Sequence, residues 1–382
     1  MGGGLWRAHR VKPMVAPAAS AIAMPTAEPS AKPMRPSPSG AQRALLPGGR
    51  WHFQHGPIDI VIAAEGDTSA VQAAHAAAWQ RFQTVLHELV AELPRLRQPV
   101  RGSTSGPIAG TIAEPCPLNG PIARQMWAAC QPLVAEADGF ITPMAAVAGS
   151  VAMALITAYW RPGVQRAWVN NGGDIALHLA PGFEARVGLY ADLSRFDMAA
   201  AACTTAGTLR TDAAFVVRAH QPVRGVATSG WRGRSLSRGI ADSVTVLAAN
   251  AAMADAGATV IANAVNVADA NIVRRPANSV RDDSDLGDIA VTVAVPTLAP
   301  AQVQRALRQG LACAQGLQDC GLVFAAVLVC QGSFERLLPR QPLEWRPDSA
   351  PSLDTVVSPP ACPTFSPHWV QQLLHETDET PP

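Results

Sequence analysis

The chain has 382 residues, of which 15% are charged, and 30 Lys and Arg against 29 Asp and Glu leave a net charge of +1. That balance offers no basic stripe for nucleic acid and no acidic tail, so a small ligand or a protein partner is expected instead. The length suffices for one large domain or two ordinary ones.

Residues 1–45 are rich in Pro, Ala and Ser with few large apolar side chains, and read as a disordered extension. Arg7, Arg10 and Lys12 ahead of residues 15–24 imitate a signal peptide, but Pro17 and the alanines leave no apolar centre, which argues against export. The expected ordered domain spans 46–335. Trp51–Phe53 and Ile58–Ala63 read as strands joined across His55, Gly56 and Pro57, with His52 and His55 flanking the turn. Those histidines suit a metal or an anion, or are solvated caps.

Val71, Ala74, Ala78, Phe82, Val85, Leu89 and Leu93 recur every three or four residues, a helix whose apolar face is core and which Pro94 ends. Residues 99–110 read as a loop and 122–134 as a second helix. Thr142 and Pro143 then open a helix whose small residues, Ala145 to Ala154, permit close backbone approach. Its apolar run stops at Arg161 and Pro162, short of the roughly 18 residues a membrane helix needs.

Residues 167–179 form two strand-like halves around Asn170, Asn171, Gly172, Gly173 and Asp174. This bend reads equally as a hairpin turn or as a ligand-contacting loop with exposed amides beside an acid. Further strands are expected at 183–190 and 213–219.

The centre of the chain is 225–265. Residues 227–239, with Thr228, Ser229, Gly230, Arg234 and Arg238, combine hydroxyls, free amides and positive charge, an inventory for holding an anion. Ser243–Ala248 is a β-branched strand, and an Ala-rich helix starts at Asn250. On it Asp255 and Thr259 share a face and could give two oxygens to a hard cation. The alternative is structural: Asp255 near a helix start and Thr259 bonded back to a carbonyl.

Arg274, Arg275 and the acidic Asp282, Asp283, Asp285 and Asp288 are placed in a loop, as a solvated face. Strands at 289–295 and 321–329 with a helix at 303–317 complete the set, and 336–382 reads as a Pro-rich, partly disordered extension. Short strands with interspersed helices and no regular βαβ rhythm argue an α+β fold in layers. The seven cysteines, Cys116, Cys130, Cys203, Cys313, Cys320, Cys330 and Cys362, are scattered without metal-binding spacing, which points to reduced thiols and a cytoplasmic setting.

Three stretches together resemble the ApbE superfamily: AAVAGSVA at 145–152, VNNGGDI at 169–175, and ATSG at 227–230 followed by SVTVLAANAAMADAGATVIA at 243–262. QHGPIDIVI, ITPMAAVAGSVA and ATSGWRGRSLSRGIAD are more specifically similar to the bacterial and archaeal branch that lacks the transferase histidine segment. The resemblance implies a T-fold-like arrangement of layered antiparallel sheets packed with helices. Characterised members transfer FMN from FAD to a protein threonine with magnesium. The resemblance therefore implies Mg2+ held by Asp255 and Thr259, with the carbonyl of Ala148 as a third ligand, and FAD or FMN as the bound nucleotide.

The departures limit the activity implied. Between ATSG and the next strand the family's transferases carry His-Ile-x-Asp-Pro-x-x-Gly, whereas this chain has WRGRSLSRGIAD, and Gly149 stands near the place of a family Lys. Arg234 and Arg238 could hold phosphates in that space. Three readings follow. One is a divergent protein that binds a phosphate-bearing ligand through a divalent cation. The second is an active enzyme, FMN transferase-like or otherwise in one-carbon, sulfur or cofactor metabolism, with Ser235, Ser237 or His55 catalytic. The third is a non-catalytic assembly protein. No nucleic acid and no membrane is expected as partner, and a homo-oligomer stays open.

Overall fold

The computed structural model describes residues 40–101, 115–189, 213–233, 235–340 and 355–356. Its strands are β1 (Gln42–Leu45), β2 (Trp51–His55), β3 (Ile58–Gly66), β4 (Val164–Asn171), β5 (Asp174–Leu179), β6 (Glu184–Leu189) and β7 (Ala213–Arg218). Then follow β8 (Gly225–Ser229), β9 (Ser243–Ala248), β10 (Val273–Pro276), β11 (Ala290–Ala294), β12 (Ala325–Cys330), β13 (Ser333–Leu337) and β14 (Thr355–Val356). Its α-helices are α1 (Thr68–Ala91), α2 (Leu93–Leu96), α3 (Pro121–Cys130), α4 (Val147–Ile156), α5 (Ala251–Ala264), α6 (Ala277–Val280) and α7 (Pro300–Asp319).

Nine strands form one sheet in the order β1-β2-β3-β4-β5-β8-β9-β12-β13. Every neighbouring pair in it is antiparallel. On one face lie the helices. There Phe53 and Ile60 of the sheet meet Phe82 of α1, and Val246 and Leu328 share the same core with Ile261 of α5. On the other face β6, β7 and β14 form a small sheet, whose Val187 and Phe215 pack in one core with Trp168 and Leu177. The fold is thus α+β, antiparallel sheets packed with helices.

The sandwiching explains the sequence of the central strands. All six residues of β9 and all six of β12 are buried, because each strand is covered on both faces; β12 reads as a continuous apolar run, and β9 buries Ser243 and Thr245 beside its apolar residues. Each Val or Leu side chain of these strands withdrawn from water contributes about 1.5–3 kcal/mol.

Helix α1 buries Ala74, Ala78, Phe82, Val85 and Leu89, the face its spacing predicts. It breaks at Glu92, and Pro94 sits in the first turn of α2, where a missing N–H costs nothing. Helix α5 starts where expected, with the Asn250 side chain accepting the Met253 N–H at 2.9 Å.

Four expectations change. The sheet begins at Gln42, inside the segment read as a disordered extension, because β1 pairs with β2 and Arg43 lies over the rings of Trp51 and Trp79. Arg274 and Arg275 belong to β10, paired with β11, not to a loop. Helix α3 stops at Cys130, since Pro132 tightens the next residues into a 3-10 turn. The last central strand starts at Ala325, four residues late, because Gly321 turns with φ +72°.

Register decides where the site sits. His55 pairs with Ile58, Ile60 with Asn171, Asn171 with Asp174, Ser229 with Val244 and Ser243 with Val329. One end of the large sheet therefore gathers the β2–β3 turn, the β4–β5 turn, the end of β8 and the start of β9.

Candidate functional site

Helix α5 is nearly all small residues, and it is approached backbone to backbone. A Cβ on Gly149 of α4 would lie 2.1 Å from the Ala251 carbonyl oxygen, and one on Gly225 of β8 would lie 2.1 Å from the Asn250 carbonyl carbon. Only glycine fits at either place. The consequence is that the first turn of α4 abuts the face of α5 that carries Asp255.

There Asp255 Oδ2 accepts the Gly149 N–H at 2.9 Å. A helix's first amides lack partners within the helix and carry partial positive charge, so a carboxylate is favoured at this point. Burial nevertheless pushes the Asp255 carboxyl well above the usual carboxylate range, and the charge of Asp174 adds to the shift against the opposing Gly149 and Ala148 amides. Two acids thus share one end of the sheet. Thr259 is half-buried one turn along α5 from Asp255, and among the described residues no protein group bonds its hydroxyl.

Asp174 is held by the β4–β5 bend. Asn170 Oδ1 accepts the Gly173 N–H at 2.8 Å, with Gly172 and Gly173 at φ +69° and +114°. The bend is therefore a hairpin turn, and it also presents its acid to Asp255. The Thr228 N–H lies 3.4 Å from Asp174 Oδ1, and the Thr228 hydroxyl pairs with that of Thr245 at 2.9 Å. Ser229 and Gly230 continue from there, Gly230 with no room for a side chain beneath Asp242.

The carbonyl of Ala148 has a side-chain partner of its own. It accepts the Asn171 side-chain amide at 3.1 Å, and in a trans peptide this carbonyl points opposite to the Gly149 N–H that Asp255 holds. The peptide offers Asp255 its donor side. No spacing in the sequence reveals this contact with Asn171.

The remaining candidates separate. Ser237 is 3% exposed and donates to Asn263 Oδ1 at 3.1 Å while accepting the Gly239 N–H, so its hydroxyl braces the loop. Ser235 is exposed. Arg238 pairs with Asp138 at 3.2 Å and its N–H binds Asn263. Arg234 lies outside the described residues. His55 is buried beneath α1, two strands from β4.

Two groups near the site escaped the sequence reading. Arg232 lies over Trp231 and sits 3.5 Å from Asp242, whose Oδ2 accepts the Gln331 N–H at 2.5 Å. Asp285, read as part of a solvated run, accepts the hydroxyl of buried Thr142 at 2.5 Å, just before α4. The cavities that open elsewhere do not include Asp255. One of about 570 Å³ is lined by Phe183, Glu184, Arg218 and Arg224, and one of about 350 Å³ by Arg232, Leu298, Gln331 and Ser333. Among the described residues no group of three or more His, Cys, Asp or Glu is placed to hold a metal, so any cation here must draw on hydroxyl, backbone or water oxygen as well.

These features define an α+β protein with two acids, a threonine and a helix start converging at one end of its large sheet. Residues 43–336 match the model of the family described as AbpE bacteria, and the chain belongs to that family. It is 36% identical over 136 residues to a UPF0280 protein of Methanospirillum hungatei, covering 35% of this chain and 50% of that protein. It is 39% identical over 126 residues to a UPF0280 protein of Methanosphaerula palustris, covering 33% and 47%. In these alignments the chain spans about half the length of each relative. Among solved structures, the apo form of the Pseudomonas stutzeri flavinyl transferase ApbE aligns with 14% identity over 78% of this chain and 95% of that one, at a TM-score of 0.38.

Proposed function

We propose that this chain binds a phosphate-bearing ligand, a flavin nucleotide in the first instance, through a divalent cation at Asp255. The observation that carries the reading is that Asp255, where burial raises the cost of its charge, also feels the charge of a second acid, Asp174. A cation would offset that cost. The donors at hand, the carboxylates of Asp174 and Asp255 and the hydroxyl of Thr259, are all oxygen, which suits a hard ion such as Mg2+. When bound, such an ion would neutralise phosphate charge. The backbone of Ser229 and Gly230, next to Asp174 and Thr228, is the part of this chain we assign to orienting the phosphates, while Arg232 is already paired with Asp242.

Flavin transfer by the superfamily's histidine route is not part of this reading, because residues 230–242 contain no His. Ser237 does not replace it, since its hydroxyl is buried and engaged. A cytoplasmic setting is proposed with it, supported by five cysteines among the described residues that are all free thiols. No helix among the described residues is long and apolar enough to cross a membrane.

The test is calorimetric titration of FAD, FMN and ADP into the full chain with and without Mg2+, beside Asp255→Ala. Magnesium-dependent binding that the variant loses is the expected result. Absence of binding by all three nucleotides would leave the family relation as one of fold alone.

A further inference from the structure

A second group of ligating side chains lies outside the acidic site. His55 ends β2 and is 5% exposed, with its ring edge-on to Phe82 of α1 at 6.3 Å between centres. Its Nδ1 is buried and has no hydrogen-bond partner. The ring of His87, an exposed residue of α1, lies 5.3 Å from that of His55 between centres and is tilted by 57°. An orphaned buried imidazole nitrogen is costly, and native structures usually satisfy such groups.

The separation of the two rings is the one that a shared metal ion requires. With each nitrogen about 2.1 Å from the ion and about 1.2 Å from its own ring centre, two imidazoles at a tetrahedral angle have centres about 5 Å apart. The ligand class differs from that at Asp255: nitrogen donors select borderline first-row ions such as Zn2+ over Mg2+.

We propose that His55 and His87 form a two-imidazole site for Zn2+ or a similar first-row ion, its remaining positions filled by water. The ion clamps the β2–β3 hairpin to α1 and gives His55 Nδ1 the partner it lacks. His55 and Asn171 lie on the same face of the sheet, but β2 is two strands from β4, so the two cation sites are about 10 Å apart or more and load independently. His52 belongs to neither, since it is paired with Asp59 at 2.8 Å.

The experiment titrates Zn2+ into the full chain by calorimetry, followed by thermal unfolding with and without the ion, for the unaltered protein, His87→Ala, His55→Gln and Asp255→Ala. His87 is exposed, so its variant tests binding without threatening the core. The expected result is one Zn2+ per chain with a rise of several degrees in Tm, affinity at least tenfold weaker in His87→Ala and His55→Gln, and unchanged zinc binding in Asp255→Ala. Equal zinc affinity in the unaltered chain and His87→Ala, no binding by the unaltered chain, or loss only in Asp255→Ala would each overturn the proposal.

Discussion

Asp255 reaches back 106 positions to accept the Gly149 N–H at 2.9 Å, so the acid of one helix satisfies the opening amide of another. The contact joins α5 to α4 and fixes the direction of the carboxylate at the acidic site. It also sets the sign of several measurable effects.

Because its folded-state pKa is raised, Asp255 holds a proton in the folded chain at pH values where the unfolded chain has released it. Its contribution therefore weakens stability as pH rises above the ordinary aspartate value of 3.8. In metal-free buffer at pH 8, Asp255→Asn is expected to melt at least as high as the unaltered protein. Added Mg2+ should raise the Tm of the unaltered protein by a few degrees and leave the variant unmoved, as differential scanning calorimetry would show.

Gly149→Ala places a methyl group 2.1 Å from the Ala251 carbonyl oxygen. The helices must separate, at a cost of about 3 kcal/mol or more. Urea unfolding should show a lower midpoint at an unchanged slope. A variant as stable as its parent would mean that α4 and α5 are not packed backbone to backbone.

Ser237→Ala removes the hydroxyl that donates to Asn263 and accepts from Gly239. A loss of about 1–2 kcal/mol in stability is expected. Nucleotide affinity should stay within twofold of the parent. A collapse of ligand turnover or binding without loss of stability would restore a catalytic role to this serine.

His75 Nδ1 shares a hydrogen bond of 2.7 Å with the Tyr159 hydroxyl, and burial lowers the pKa of His75 to about 4 from 6.5. Between those values the unfolded chain binds a proton that the folded chain refuses, so stability falls as pH drops through that window. The contribution is up to about 3 kcal/mol, less whatever solvent reaching the ring screens. His75→Gln, which keeps an acceptor for Tyr159, should flatten the decline in ΔG measured by denaturant titration from pH 7 to pH 4.

The amino-acid sequence by itself determined the local elements. The three-and-four spacing of Ala74, Ala78, Phe82, Val85 and Leu89 defines the buried face of α1, and the Asn250 cap with its run of small residues defines α5. It also placed Asp255 and Thr259 on one helix face and Asp174 in a tight bend, since helix period and glycine-bearing turns are encoded within a few residues. Tertiary structure alone decided the partners. The side of the Ala148–Gly149 peptide that meets Asp255, the burial of Ser237 against Asn263, the pairing of Arg238 with Asp138 and that of Asp285 with Thr142 all join distant residues. Such contacts depend on strand register and on how closely two helices can approach. Those are set by the packing of the whole sheet, and no local pattern carries them.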